Sequence, residues 1–356
     1  MSIRRRGFRN NLFSARFYLR GVGLLRVLIT GVAGFIGMHL AKRLLEKNFN
    51  VFGIDNLCNY YDVRLKEARL DQLKTYENFN FSHLDIVDRA GVDELFEKIS
   101  PDYVIHLAAQ AGVRFSIENP SIYAASNLLG FTNVIEAAKN FTVKHFVYAS
   151  SSSVYGNNPG TAFSEDVPVD FPRSYYAATK RSNELIARAY SHQFGLSTTG
   201  LRLFTVLGPW GRPDMSLYKF VHSALHDQPI TLYNAGDMLR DFTFIDDAVI
   251  SIEKIMNLPP DNAGAESISE GRCFRLINVG SSNPISVLKY VNSIEGVLGK
   301  SIQRVNMSAN LAEVRNTFAN VAKLKSLTGY SPETDITVTI ERFVNWYHRF
   351  GGSDYI

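Results

Sequence analysis

Residues 26–37, Arg-Val-Leu-Ile-Thr-Gly-Val-Ala-Gly-Phe-Ile-Gly, allow few folds. Val27 to Thr30 is a short, β-branched, apolar run of the kind that parallel sheets bury on both faces. Gly31, Gly34 and Gly37 follow at G-x-x-G-x-x-G spacing. The first glycine permits a tight turn, the second lets a pyrophosphate approach the backbone, and the third lets helix pack on strand. From Phe35 to Lys47, apolar residues at 35, 36, 40, 44 and 45 make a helical stripe. The free N–H groups and positive dipole end of that helix, at Phe35 and Ile36, therefore face the occupant of the turn. A second apolar strand, Val51 to Ile54, ends in Asp55. An acid there accepts hydrogen bonds from ribose hydroxyls and repels a 2′-phosphate. The pattern predicts a dinucleotide site for NAD rather than NADP, with Gly31, Gly34, Phe35, Ile36, Gly37 and Asp55 against the cofactor.

A second signal lies far downstream. Lys144 to Ser150 reads as another buried strand and opens into Ser150-Ser-Ser-Ser-Val-Tyr-Gly156. Tyr176-Ala-Ala-Thr-Lys180 follows. Tyrosine and lysine one helical turn apart share a face. A free tyrosine titrates near 10, so Tyr176 serves as a base at neutral pH only if neighbouring positive charge lowers its pKa. Lys180 and an oxidised nicotinamide are expected to do this, with a serine hydroxyl steering the proton. A Tyr-x-x-x-Lys is common by chance; after a nucleotide turn and a serine-rich strand end it predicts hydride transfer at a hydroxyl-bearing carbon.

The rest of the chain fits an enzyme of this class. Its 356 residues are 46% hydrophobic and 20% charged, an ordinary globular balance with length for two lobes. Strand-like and helical stretches alternate from Val27 to about Leu203, which predicts an α/β fold with a doubly wound parallel sheet. Beyond it the expectation is a smaller C-terminal α/β substrate-binding lobe. The predicted division is a basic tail at 1–25, a Rossmann-type NAD-binding domain at 26–204 that 243–257 rejoins, and a mainly substrate lobe at 205–356. Pro, Gly and Arg cluster at 208–213, as in a substrate loop. A helix is predicted over 217–226, and 258–272 reads as an exposed loop.

The formal charge of +4 is uneven: residues 1–26 hold seven arginines and no acids, leaving 4 − 7 = −3 for the remainder. The basic balance thus belongs to the tail and gives no nucleic-acid-binding face. The tail reads as disordered or as the product of an upstream start, as a membrane-surface helix, or as a targeting peptide. No apolar run is long enough for a transmembrane helix. Two cysteines offer neither a disulfide framework nor metal-ligand spacing, so no metal is expected and a cytoplasmic location fits.

These motifs resemble the extended short-chain dehydrogenase/reductase family, in its nucleotide-sugar-modifying branch. The likeness rests on Thr30-Gly31-x-x-Gly34-Phe35-Ile36-Gly37, His106-Leu-Ala-Ala-Gln110 and Arg240-Asp-Phe-Thr-Phe-Ile-Asp-Asp247, and it runs from Arg26 to the C-terminus. Asp55-Asn56-x-x-x-Tyr60-Tyr61-Asp62-Val63-x-Leu65-Lys66-x-Ala68-Arg69-Leu70 and Phe204 to Met215 most resemble the UDP-glucuronate 4-epimerases. The resemblance implies tightly bound NAD regenerated in each cycle, a UDP-sugar substrate and a homodimer. It also implies Tyr176 as base, Ser151 as proton relay, and Ser152 and Ser153 against the sugar. Thr205 and Arg212 would face a substrate carboxylate, Arg240 the diphosphate and Tyr233 the uracil. Asp85 would lie near adenine, and Ala108 and Ala109 along the cofactor. His106, in an apolar strand, reads as a core histidine.

Sugar dehydratases of this branch carry an Asp-Glu pair where this chain has Ser152-Ser153, so no elimination acid is placed. The alternatives are a 4-epimerase of neutral UDP-sugars, a UDP-glucuronate decarboxylase, a freely exchanging NADPH reductase, and a catalytically silent NAD-binding regulator. Two stretches depart from the family pattern. Leu207 stands where relatives commonly have Tyr. Residues 312–320 read Ala-Glu-Val-Arg-Asn-Thr-Phe-Ala-Asn where relatives have Gly-Asp-Val-Pro-x-Thr-Tyr-Ala-Asp, which bears on nucleotide choice.

Overall fold

The structure is a computed structural model that describes residues 24–156, 162–260, 271–308 and 316–355. The basic tail up to residue 23, most of the 258–272 loop and the 312–315 part of the divergent stretch lie outside the described residues.

Six strands carry the first half of the chain: β1 (Arg26–Thr30), β2 (Asn50–Asp55), β3 (Phe79–His83), β4 (Tyr103–His106), β5 (His145–Ser151) and β6 (Thr198–Leu203). Seven more follow: β7 (Thr205–Leu207), β8 (Ile230–Tyr233), β9 (Leu239–Arg240), β10 (Phe242–Phe244), β11 (Phe274–Val279), β12 (Ile285–Ser286) and β13 (Arg304–Met307). Seven of them form one parallel sheet in the order β11-β6-β5-β4-β1-β2-β3. Strands β1, β4 and β5 are nearly continuous buried runs, as two-sided coverage by helices requires. The winding reverses between β1 and β4, and a crevice opens there beyond the carboxyl ends of the strands.

Local sequence sets the elements that flank this crevice. The helix Phe35–Glu46 buries Phe35, Met38, Leu40, Ala41, Leu44 and Leu45; Met38 and Ala41 extend the predicted stripe, whereas Ile36 is half-buried and faces the crevice. The helix Tyr175–Phe194 begins at Ser174, whose hydroxyl accepts from the Ala177 N–H, and ends at Gly195 in the left-handed region (φ 67°). Downstream of β6 the chain adds three two-stranded pairs, β7 with β10, β8 with β13 and β9 with β12. A helix spans Ser216–Leu225, close to the predicted 217–226.

Two connections tie the later chain to the first half. Strand β11 pairs β6 from Phe274↔Thr198 to Val279↔Leu203 and so belongs to the main sheet, which the sequence pattern did not reveal. The helix Ile245–Met256 carries Glu253, which takes both Arg43 and Lys47 of the Phe35–Glu46 helix. The carboxylates of the 240–247 motif act as staples. Asp241, fully buried, accepts from the N–H groups of Ser281, Ser282 and Ala319 and from the Ser281 hydroxyl. Asp247 accepts from the Tyr330 hydroxyl and the Thr334 N–H.

Candidate active site

A cavity of about 670 Å³ occupies the crevice. Its walls include Gly31, Gly34, Phe35, Ile36, Gly37, Asp55, Asp85, Ala108 and Ala109 at one end and Ser151, Ser152, Ser153, Tyr176, Lys180, Thr205 and Arg212 at the other. Residues from six separate strand ends are thus gathered around one space.

The cofactor end is shaped by missing side chains. Gly31 has φ 73°, and a Cβ there would lie 2.7 Å from the Ala108 N. A Cβ on Gly37 would lie 2.2 Å from the Gly31 O. No larger residue fits either position without moving backbone, and the small Ala108 completes the close approach. Asp55, nearly buried at the end of β2, accepts from the Ala33 N–H at 3.1 Å and the Leu57 N–H at 2.9 Å. Lys66, also buried, holds its ammonium 3.9 Å from the same carboxylate and donates to the Cys58 sulfur at 3.1 Å. It offsets part of the charge that Asp55 presents to a ribose. Asp85 caps its own turn through the Val87 N–H and accepts from the Asn56 amide at 2.8 Å. The glycine cradle, the paired acids and the adjoining volume fit an adenine dinucleotide.

At the other end, Tyr176 sits in the first turn of its helix, with its N–H on the Ser116 hydroxyl at 3.2 Å. Lys180, one turn on, is buried and donates to the Ala149 carbonyl at 2.9 Å. Burial brings the Lys180 ammonium down to about 8. Tyr176 is pulled in two directions. Desolvation raises its pKa above the ordinary value, while a hydrogen bond with Ser151 and the positive charge of Arg212 pull the other way. Charge from this chain alone does not make it a phenolate, which leaves that work to the positive ring of an oxidised nicotinamide.

The Tyr175–Phe194 helix is fixed by groups that the sequence did not single out. Glu184, fully buried, accepts from the Ser150 hydroxyl at 2.6 Å and takes the Arg202 fork through two 2.9 Å bonds. It therefore locks the helix to the serine end of β5 and to β6. Asn127 donates to the Gln110 carbonyl and the Thr179 hydroxyl, both at 3.0 Å, and so joins the 107–110 turn to the same helix. Such acids and amides have no local sequence signal, because their partners are distant in the chain. His106 is a core histidine as read: it bonds the Thr30 hydroxyl, and burial takes its pKa down to about 3.

Arg212 reaches the cavity next to Thr205, but it is already engaged. Its guanidinium holds Asp214 in a bidentate pair of 2.9 and 2.5 Å, and the Tyr60 hydroxyl donates to the same carboxylate at 3.1 Å. Two expected substrate residues do not line the cavity. Tyr233 closes β8 beneath the Arg114 guanidinium, 5.2 Å from the ring centroid. Arg240 lies on β9 and donates to the Leu239 carbonyl.

Comparison with known proteins agrees with this architecture. Residues 27–268 match the model of the NAD-dependent epimerase/dehydratase family. Protein CapI of Staphylococcus aureus is 44% identical over 329 residues, covering 91% of this chain and 98% of that protein. A UDP-glucuronate 4-epimerase of Thermodesulfobacterium geofontis is 43% identical over 320 residues, covering 90% of this chain and 95% of its own length. Among solved structures, the UDP-glucuronic acid 4-epimerase of Bacillus cereus in complex with UDP-glucuronic acid and NAD superposes with a TM-score of 0.84 at 31% identity, over 92% of this chain and 100% of that one. With the glycine turn, the Tyr-x-x-x-Lys helix and the cavity between them, these likenesses make the chain a member of the NAD-dependent epimerase/dehydratase family.

Proposed function

We propose that this protein is an NAD-dependent 4-epimerase that interconverts UDP-glucuronate and UDP-galacturonate. The observation that carries the reading is one cavity with a dinucleotide cradle at one end and Tyr176, Lys180, Ser151, Thr205 and Arg212 at the other. The relatives named for UDP-glucuronate epimerisation, and the UDP-glucuronic acid complex, supply the substrate. Bound NAD supplies the acceptor and later the donor of the C4 hydride. Tyr176 takes the proton of the sugar 4-hydroxyl, Ser151 steers it, and Lys180 keeps the tyrosine oxygen in a positive field. After the 4-keto sugar turns, Tyr176 returns the proton and the hydride enters the opposite face. Ser152 and Ser153 hold the sugar, and Thr205 and Arg212 hold its carboxylate. A 4-keto uronate is a β-keto acid prone to lose CO₂, so a firmly held carboxylate is what keeps the product an epimer.

Arg240 is assigned to the diphosphate and Tyr233 to the uracil, beyond the cavity walls. The domain division at about 204 is kept for the substrate contacts of the later chain, with 243–257 and β11 returning to the first domain. The reaction is assigned to the cytoplasm on the ground of its nucleotide-sugar substrate and NAD; among the described residues no helix is long and apolar enough to cross a membrane. A homodimer is supported by exposed Ile122, Leu129 and Leu185, on the adjoining 120–140 and Tyr175–Phe194 helices. Sedimentation of wild type and of Leu185→Glu tests it: a dimer that the variant loses supports the interface, and a monomeric wild type removes it.

One observation favours neutral UDP-sugars as a second reading: the Arg212 fork already holds Asp214. Parallel assays of UDP-glucuronate and UDP-glucose decide between the two. Higher kcat/KM on the uronate supports the proposal, and higher kcat/KM on the neutral sugar overturns it.

A further inference from the structure

Arg69 is fully buried, and its hydrogen-bond partners are all neutral. Its Nε donates to the Trp210 carbonyl at 3.1 Å, and Nη2 donates to the carbonyls of Trp210 at 2.6 Å and Gly211 at 3.2 Å. Nη1 donates to the Ala33 carbonyl at 3.1 Å and the Tyr61 hydroxyl at 2.6 Å. A guanidinium has five N–H donors in a rigid fork, and this geometry occupies all of them. Ala33 lies between Gly31 and Gly34 in the dinucleotide turn. Trp210 and Gly211 immediately precede Arg212. Trp210 also adopts φ 62°, a strained conformation for a bulky residue, in the loop whose carbonyls meet Arg69. Burying a cation without a counter-ion costs stability and is poorly explained by packing alone. It is explained by geometry, because one planar group fixes the cofactor turn and the Arg212 loop relative to each other.

We propose that Arg69 is a positioning residue that couples occupancy of the dinucleotide turn to the placement of Arg212, and thereby to recognition of the substrate carboxylate. The inference rests on the uronate epimerase reading above. Lysine at this position keeps the charge but gathers its donors on a single nitrogen, which cannot span three segments.

The test is Arg69→Lys, alone and combined with Arg212→Met, in the full-length protein. Arg69→Lys is expected to raise KM for UDP-glucuronate by about tenfold to a hundredfold with a much smaller change in kcat. Affinity for UDP alone should stay near wild type. In the Arg212→Met background, Arg69→Lys should add no further rise in KM. An equal rise in both backgrounds means a general structural role and overturns the proposal. The coupling has a second readout. UDP-glucuronate should tighten NAD binding in wild type and not in Arg69→Lys, since coupling between sites is reciprocal; equal tightening in both proteins overturns it. Should Arg69→Lys not fold, Tyr61→Phe removes one acceptor and keeps the guanidinium. It should raise KM for the uronate by about threefold, and an unchanged KM counts against the proposal. Wild-type protein that turns over UDP-glucose but not UDP-glucuronate removes the uronate reading, whereas the NAD-coupling arm, run with whichever sugar nucleotide is turned over, still decides the role of Arg69.

Discussion

Replacing Lys180 with methionine should make the protein more stable and inactive. Lys180 is buried, and burial lowers its pKa from 10.5 to about 8. Below about pH 8 the lysine is protonated in both native and unfolded chains, and the native state bears the whole cost of a buried charge. Between about 8 and 10.5 the native lysine loses its proton before the unfolded one, so its contribution to stability improves as pH rises. The shift corresponds to about 3 kcal/mol at neutral pH. Methionine keeps the stem's volume and removes the charge, but it leaves the Ala149 carbonyl without its donor, an offset of about 1 kcal/mol. The net expectation is a gain of about 2 kcal/mol at pH 7, fading as the pH approaches the unfolded pKa. Urea unfolding of both proteins after removal of bound NAD, from about pH 7 to about pH 10, reads this directly. A variant less stable than wild type at neutral pH, or a difference that ignores pH, refutes the argument that Lys180 is a strained cation kept for chemistry.

Three further outcomes follow from the same geometry. Tyr176→Phe should lower turnover by about 10²- to 10⁴-fold while the purified protein still carries NAD; turnover near wild type would remove Tyr176 as the base. Gly37→Ala places a methyl 2.2 Å from the Gly31 carbonyl, so it should release NAD during purification and lower stability by about 1–3 kcal/mol; retained NAD, measured by absorbance and chromatography, would contradict the cradle. Arg212→Met should raise KM for UDP-glucuronate by at least about tenfold and increase CO₂ release, with little change for UDP-glucose; parallel kinetics with the two sugars check it.

Much of this molecule is legible in the chain because its signals are local. The strand, glycine turn and helix from Val27 to Glu46 occupy contiguous residues, and each glycine answers to a backbone contact within or beside that unit. Tyr176 and Lys180 lie one turn apart, so their common face follows from helical spacing alone. What the sequence hides is held together across distance. Arg69 matters through carbonyls of residues 33, 210 and 211, and a carbonyl has no residue identity to read. Glu184 pairs with Ser150 and Arg202 on separate strands. Strand β11 joins the main sheet although its sequence, Phe-Arg-Leu-Ile-Asn-Val, mixes polar residues into the apolar run. The burial of Tyr176 is hidden for a related reason: Lys180 is near in sequence, but desolvation, which raises the tyrosine's pKa, is a property of the folded site. Arg212 shows the same limit. Its guanidinium lines the cavity, and its pairing with Asp214, two residues on, has no local sequence signal.

The most direct test of the central claim is to incubate the purified protein with UDP-glucuronate, without added NAD, and to resolve the products by chromatography and proton NMR. The account predicts a mixture of UDP-glucuronate and UDP-galacturonate with no CO₂ released, which establishes the reaction and the retained cofactor together. A UDP-pentose with CO₂, or unchanged UDP-glucuronate beside active epimerisation of UDP-glucose, would contradict it.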